Sequence, residues 1–66
     1  KSSKTVFEVV HQRSDAVIYW HLDGVFVGET NRFHQIELSP GIGKHQLTLV
    51  DDRGFELSRT FEIEER

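Results

Sequence analysis

Four histidines, His11, His21, His34 and His45, are many for a chain of 66 residues. With Asp23, Asp51 and Asp52 they are the side chains best suited to chemistry, since imidazole binds metals and moves protons and carboxylates hold calcium or act as general acids and bases. Their spacing argues against each use. No two histidines stand at the short separations of a zinc motif, and His21 and His34 would have to meet across a sheet to share an ion. Calcium takes six to eight oxygens at short range, and no Asp-rich loop supplies them. The three aspartates instead stand where turns are expected, and there a carboxylate accepts hydrogen bonds from nearby backbone amides.

The remaining catalytic patterns fare no better. A two-carboxylate glycosidase needs a deep cleft to raise one pKa, which a thin domain of this size does not build. Ser58 and Thr60 allow a triad to be drawn on paper, but there is no Gly-x-Ser-x-Gly elbow. Gly41-Ile42-Gly43-Lys44-His45 lacks both the four-residue spacer and the Ser or Thr after Lys that define a phosphate loop. The expectation is no catalytic residue, no metal site and no cofactor.

Aromatic residues carry the better binding signal. Tyr19 faces away from Trp20, and with His21 beside it and Phe26 or His34 across the hairpin it would make a flat platform for a sugar ring or a partner peptide. The candidate binding residues are Tyr19, His21 and His34. The competing reading is an ordinary cross-strand pair that shields the sheet.

The elements that must position them are strands. Apolar residues alternate along most of the chain and helical spacing is rare. Thr5 to Val10 is the first strand, with either Phe7 and Val9 or Val6 and Val10 inward. From Ala16 to Leu22, the residues Ala16, Ile18, Trp20 and Leu22 share the core face, and Val17, Tyr19 and His21 the other. Asp23-Gly24 supplies the positive φ angles of a two-residue hairpin turn, and Val25 to Thr30 returns as the partner strand. Phe33 to Leu38 places Ile36 and Leu38 inward, and Ser39-Pro40-Gly41 ends it. Gly41 and Gly43 form a flexible corner. Lys44 to Asp51 follows with Leu47 and Leu49 on one face, and Asp51 to Gly54 turns into Phe55 to Glu64. There Phe61 and Ile63 point inward, with Arg59 and Leu57 on that side nearer the edge. Six to seven short antiparallel strands imply an all-β immunoglobulin-like or fibronectin-like sandwich. Residues 5–64 form one domain, and 1–4 and 65–66 are expected to fray.

Composition sets the outer limits. A chain this short buries only about 60% of the surface it exposes when unfolded, and without cysteine no disulfide assists it. A formal charge of −3 with no basic stripe argues against nucleic acid and mildly repels anionic lipid. The longest apolar runs span a few residues, against the roughly 20 that cross a bilayer. The opening Lys-Ser-Ser-Lys, with no Met or signal-like segment, reads as a domain from a longer protein or a processed product.

The order Tyr19-Trp20, Leu22-Asp23-Gly24, Gly28-Glu29-Thr30, Pro40-Gly41, Gly43-Lys44-His45, Leu47-Thr48-Leu49-Val50-Asp51 and Gly54 resembles the C-terminal domain of bifunctional penicillin-binding proteins of the 1C type, from about Ile18 to Ile63. The opening FEVVHQRSDA departs from the Pro-rich or Gly-rich strand expected there. The resemblance implies a non-catalytic accessory domain of a peptidoglycan glycosyltransferase/transpeptidase in the periplasm. The implied partners are the parent's catalytic domains, another envelope protein or peptidoglycan itself. No Ser-x-x-Lys or Lys-Thr-Gly occurs, so the family's acyl-transfer chemistry carries over to no position here.

Overall fold

A computed structural model describes residues 4–64; the expected fraying of 1–3 and 65–66 falls outside the described residues. The six strands are β1 (Thr5–Glu8), β2 (Val17–Leu22), β3 (Val25–Asn31), β4 (Gln35–Leu38), β5 (Gly43–Asp51) and β6 (Glu56–Ile63), with no helix among the described residues. They form two antiparallel sheets, one of two strands in the order β1-β4 and one of four in the order β3-β2-β5-β6. This is the arrangement of an immunoglobulin-like sandwich in which B and E face C′, C, F and G, with the tryptophan on the strand equivalent to C.

Alternation decides which side of each strand meets the core. Ala16, Ile18 and Trp20 are buried, and Trp20 is only 1% exposed. Ile18, Trp20 and Leu47 form the centre, with Phe7, Val9, Ile36, Leu38 and Phe61 among the residues packed on it. In β1, Phe7 therefore turns inward, while Val6 and Val10 face solvent. The Phe7 and Phe61 rings meet at 5.2 Å and 55°, joining the small sheet to the large one.

The Asp23-Gly24 turn forms as expected, with φ of 52° and 82° at its two central residues and Leu22 opposite Val25. Beyond it β3 departs from simple alternation. A bulge shifts the register so that Trp20 pairs with Gly28 instead of Val27. One extra residue reverses the faces of everything after it, and so Thr30, opposite Ile18, turns inward. Gly28 suits its place because a Cβ there would sit 3.2 Å from Ile36 Cδ1.

Thr30 then becomes a half-buried polar hub. The Trp20 indole N–H donates to Thr30 Oγ1 at 2.9 Å, and the same oxygen is hydrogen-bonded to His34 Nδ1 at 2.8 Å. The His34 carbonyl accepts from the Val9 amide at 3.0 Å, tying in the end of β1. Between β3 and β4, Arg32 takes a positive φ of 67° as the chain crosses from one sheet to the other.

Two expected strand limits move by two residues. β4 starts at Gln35, not Phe33: Phe33 belongs to the crossing segment and is 70% exposed. The strand expected to run to Val10 ends at Glu8, because the chain leaves β4 there and turns toward the polar His11 segment.

Replacing Thr30 by Val keeps its shape but leaves the Trp20 indole and His34 Nδ1 without their shared partner. Thr30→Val should cost about 1–3 kcal/mol, read as a lower urea midpoint with an unchanged slope.

Candidate functional site

The outer face of the four-stranded sheet is the broadest surface the strands build. Tyr19 and His21 project from β2, with Glu29 and Phe26 opposite them on β3 and Val50 and Thr48 opposite them on β5. The His21 and Phe26 rings meet edge to face, with centroids 5.6 Å apart and planes at 64°. Tyr19 and His21 are half-buried, and Phe26 is 54% exposed. Of the two neighbours considered for the platform, Phe26 takes the place and His34 does not. His34 lies on the inner side, 5% exposed, where burial first and the nearby His11 second push its pKa down.

The bulge explains this division. It leaves Phe26 in the hairpin register opposite His21, while sending Thr30 and the following segment inward, where His34 joins the Trp20 hub. Thr48 and Ser58 continue the His21 row, with their hydroxyls 3.0 Å apart. Ser58 thus bonds to a threonine and not to a histidine. Among the described residues no group of three or more His, Cys, Asp or Glu is placed to hold a metal ion.

The aspartates organise turns, as their positions imply. Asp51, nearly buried, accepts from the Arg53 and Phe55 amides through Oδ1 at 2.9 and 3.0 Å. Its Oδ2 lies 2.9 Å from His11 Nε2. His11 Nδ1 accepts from the Arg13 amide at 3.0 Å, so the hydrogen on Nε2 is the one donated to Asp51. That bond, reinforced by the two amides, lowers the Asp51 pKa to about 2. Arg13 is ion-paired with Asp52 beside it. The segment between β1 and β2 is therefore fastened to the β5–β6 turn.

A second clasp closes the opposite end. His45 Nδ1 lies 2.6 Å from Asp23 Oδ2, and Nε2 lies 2.6 Å from the Gly41 carbonyl. Both partners can only accept, so both ring nitrogens donate and the ring is an imidazolium. It stacks on Phe61, with centroids 5.5 Å apart and planes at 29°, which suits a cation. The Asp23 hydrogen bond raises the His45 pKa, followed by that of Gly41. His45 in turn lowers that of Asp23, helped by the Gln46 amide. Gly41 thus presents a carbonyl to His45, and the expected flexible corner is pinned. Sequence reading missed this clasp, for which the only signal was a histidine four residues after a glycine.

A third feature lies at the open end of the sandwich. There the two-stranded sheet leaves part of the large sheet's inner face uncovered, making a groove of about 170 Å³ between Val9–Val10 and Phe55–Leu57, floored by Ile18 and Leu49.

The clasps give opposite pH dependences. The raised His45 pKa contributes stability that is complete below the ordinary histidine value of 6.5 and is lost as pH rises through its folded value. The lowered Asp51 pKa contributes stability present above 3.8 and lost as pH falls toward about 2. Subtracting His45→Gln from the parent chain in urea melts should therefore give a difference that is largest below pH 6.5 and shrinks as pH rises. For Asp51→Asn the difference should be largest above pH 4 and vanish near pH 2.

Comparison with known proteins follows the fold. A model of the Penicillin-Binding Protein C-terminus Family matches residues 1–61, so the match includes the opening third, which the resemblance read from the sequence left out. No curated protein and no solved structure matches the chain. A family model that spans nearly the whole chain, over a sandwich whose strands follow the motifs that suggested it, places this protein in the penicillin-binding protein C-terminus family.

Proposed function

We propose that this domain is a non-catalytic docking module of a bacterial cell-wall synthase, held outside the cytoplasmic membrane, which positions the synthase's catalytic domains or engages another envelope protein. Family membership supplies the setting. The observation that carries the reading is where the aromatic surface lies: Phe26, Phe33 and Phe55, three of five phenylalanines, are 54%, 70% and 75% exposed. A chain this short has little apolar surface to spare from its core, and exposed aromatics of this size are typical of contact surfaces. Of these, Phe26 lies on the sheet face with Tyr19 and His21, and docking of the parent's transpeptidase domain there would bury all three.

A second reading rests on the same face. A Phe26 ring held edge-on by His21, with Tyr19 alongside, presents aromatic faces of the kind that stack on sugar rings, and peptidoglycan fragments are the natural ligand in this setting.

The two separate in one experiment. The isotope-labelled chain is titrated in turn with the parent's transpeptidase domain and with soluble wall fragments, and backbone shifts are mapped. The docking reading expects shifts across β2 and β3 with the protein partner, and Phe26→Ser should weaken binding by about tenfold or more while leaving the spectrum dispersed. Shifts on this face with wall fragments alone would select the carbohydrate reading. Silence with both partners would reject the face.

A further inference from the structure

β6 ends the sheet order β3-β2-β5-β6, so among the described residues no strand pairs with its outer edge. Half of its amides and carbonyls point away from β5. Five successive residues, Glu56 to Thr60, are exposed, and the ladder to β5 runs without a break from Gly43↔Ile63 to Val50↔Glu56. Long, straight edges of this kind are usually blunted by a bulge, a proline, a covering segment or charged side chains. β6 has neither bulge nor proline, and charge is what it carries: Glu56, Arg59 and Glu62.

Its side chains carry a pattern instead. Leu57, Arg59 and Phe61 share the inner face, opposite Leu49, Leu47 and His45. Glu56, Ser58, Thr60 and Glu62 share the outer one. Among the described residues Arg59 makes no ion pair, and its guanidinium donates to the Ser58 carbonyl at 3.0 Å. The groove between Val9–Val10 and Phe55–Leu57 opens beside this edge, with room for a single apolar side chain.

We infer that the β6 edge binds an extended peptide segment with the inverse of its own charge pattern: basic, apolar, polar, acidic, polar, apolar, basic. Strand addition supplies main-chain hydrogen bonds, and alternate side chains supply selectivity. The central acid meets Arg59 between two apolar residues, one of which enters the groove beside Leu57. The two basic ends meet Glu56 and Glu62. In two registers a second copy of this chain meets like charge. Antiparallel self-pairing centred on Arg59 sets two arginines together and Glu56 against Glu62, and the register centred on Thr60 sets Glu56 against Glu64. This inference rests on the reading of the domain as a docking module and adds a surface distinct from the Tyr19 face.

The test is a titration of the isotope-labelled 66-residue chain with the peptide Lys-Leu-Thr-Glu-Thr-Phe-Lys. Its controls are a scrambled peptide and the charge-reversed Glu-Leu-Thr-Arg-Thr-Phe-Glu. Expected are saturable shifts along 55–63 and at Val9 and Val10, with a Kd on the order of 1 mM or tighter. Arg59→Glu, a change at an exposed position, should weaken that peptide by at least about tenfold and favour one with a central Arg. The inference fails if the peptide gives no shifts at about five times that concentration, or if the scrambled or charge-reversed peptide binds equally. It also fails if β6 shifts with protein concentration alone, which would assign the edge to a second copy. Shifts on the Tyr19 face with the transpeptidase domain, alongside a silent peptide, would remove this inference and leave the docking module standing. Silence in both experiments would remove both.

Discussion

The burial of Trp20, with its indole N–H satisfied by Thr30, is the interaction on which the domain depends. Among the described residues only Ala16, Ile18, Trp20 and Leu47 are buried apolar residues, so one indole fills much of the space between the sheets. Burying about 200 Å² at ~25 cal/mol per Å² is worth about 5 kcal/mol, comparable with the entire net stability of a small domain. That gain requires a partner for the buried N–H, because an unsatisfied donor would offset a large part of it. Thr30 meets the need and passes the connection to His34, so the hub holds β2, β3 and the crossing to β4 together.

The rest of the molecule compensates for a small core with polar fastenings at its loops. Asp51 gathers two amides and His11 at one end, and His45 joins Asp23 to Gly41 at the other. Each clasp joins a loop to a strand end, so these connections are held by directional, charge-assisted bonds. His11, His45, Asp23 and Asp51, among the residues that first suggested metal or acid–base chemistry, are thereby occupied in structure.

The proposed docking role rests on the surface. The sandwich has two faces and open edges, and its exposed phenylalanines lie on the outer sheet face, at the crossing to β4 and beside β6. The exposed aromatics and the long β6 edge, which has neither bulge nor proline, are the features on which the domain's proposed contact with other polypeptides rests. This agrees with its membership of a family named for its place at the C-terminus of penicillin-binding proteins.

Much of this was legible in the chain because β alternation and turn chemistry are local. Trp20 with Ile18, the Asp23-Gly24 turn, the inward Ile36 and Leu38 and the edgeward Leu57 and Arg59 all follow from period two and from residues that tolerate special φ angles. The inward choice of Phe7 over Val6 did not, since both patterns alternate equally well and only the docking of β1 on Phe61 separates them. Nor did the position of His34, because a single bulged residue reverses the faces of β3, and a bulge is set by what the strand must reach across the core. The His45 clasp likewise joins residues 22 positions apart. Sequence by itself determined the strands, their turns and the family, whereas only the tertiary structure decided which polar side chains would meet, because their partners lie far apart along the chain and are brought together by the packing of the two sheets.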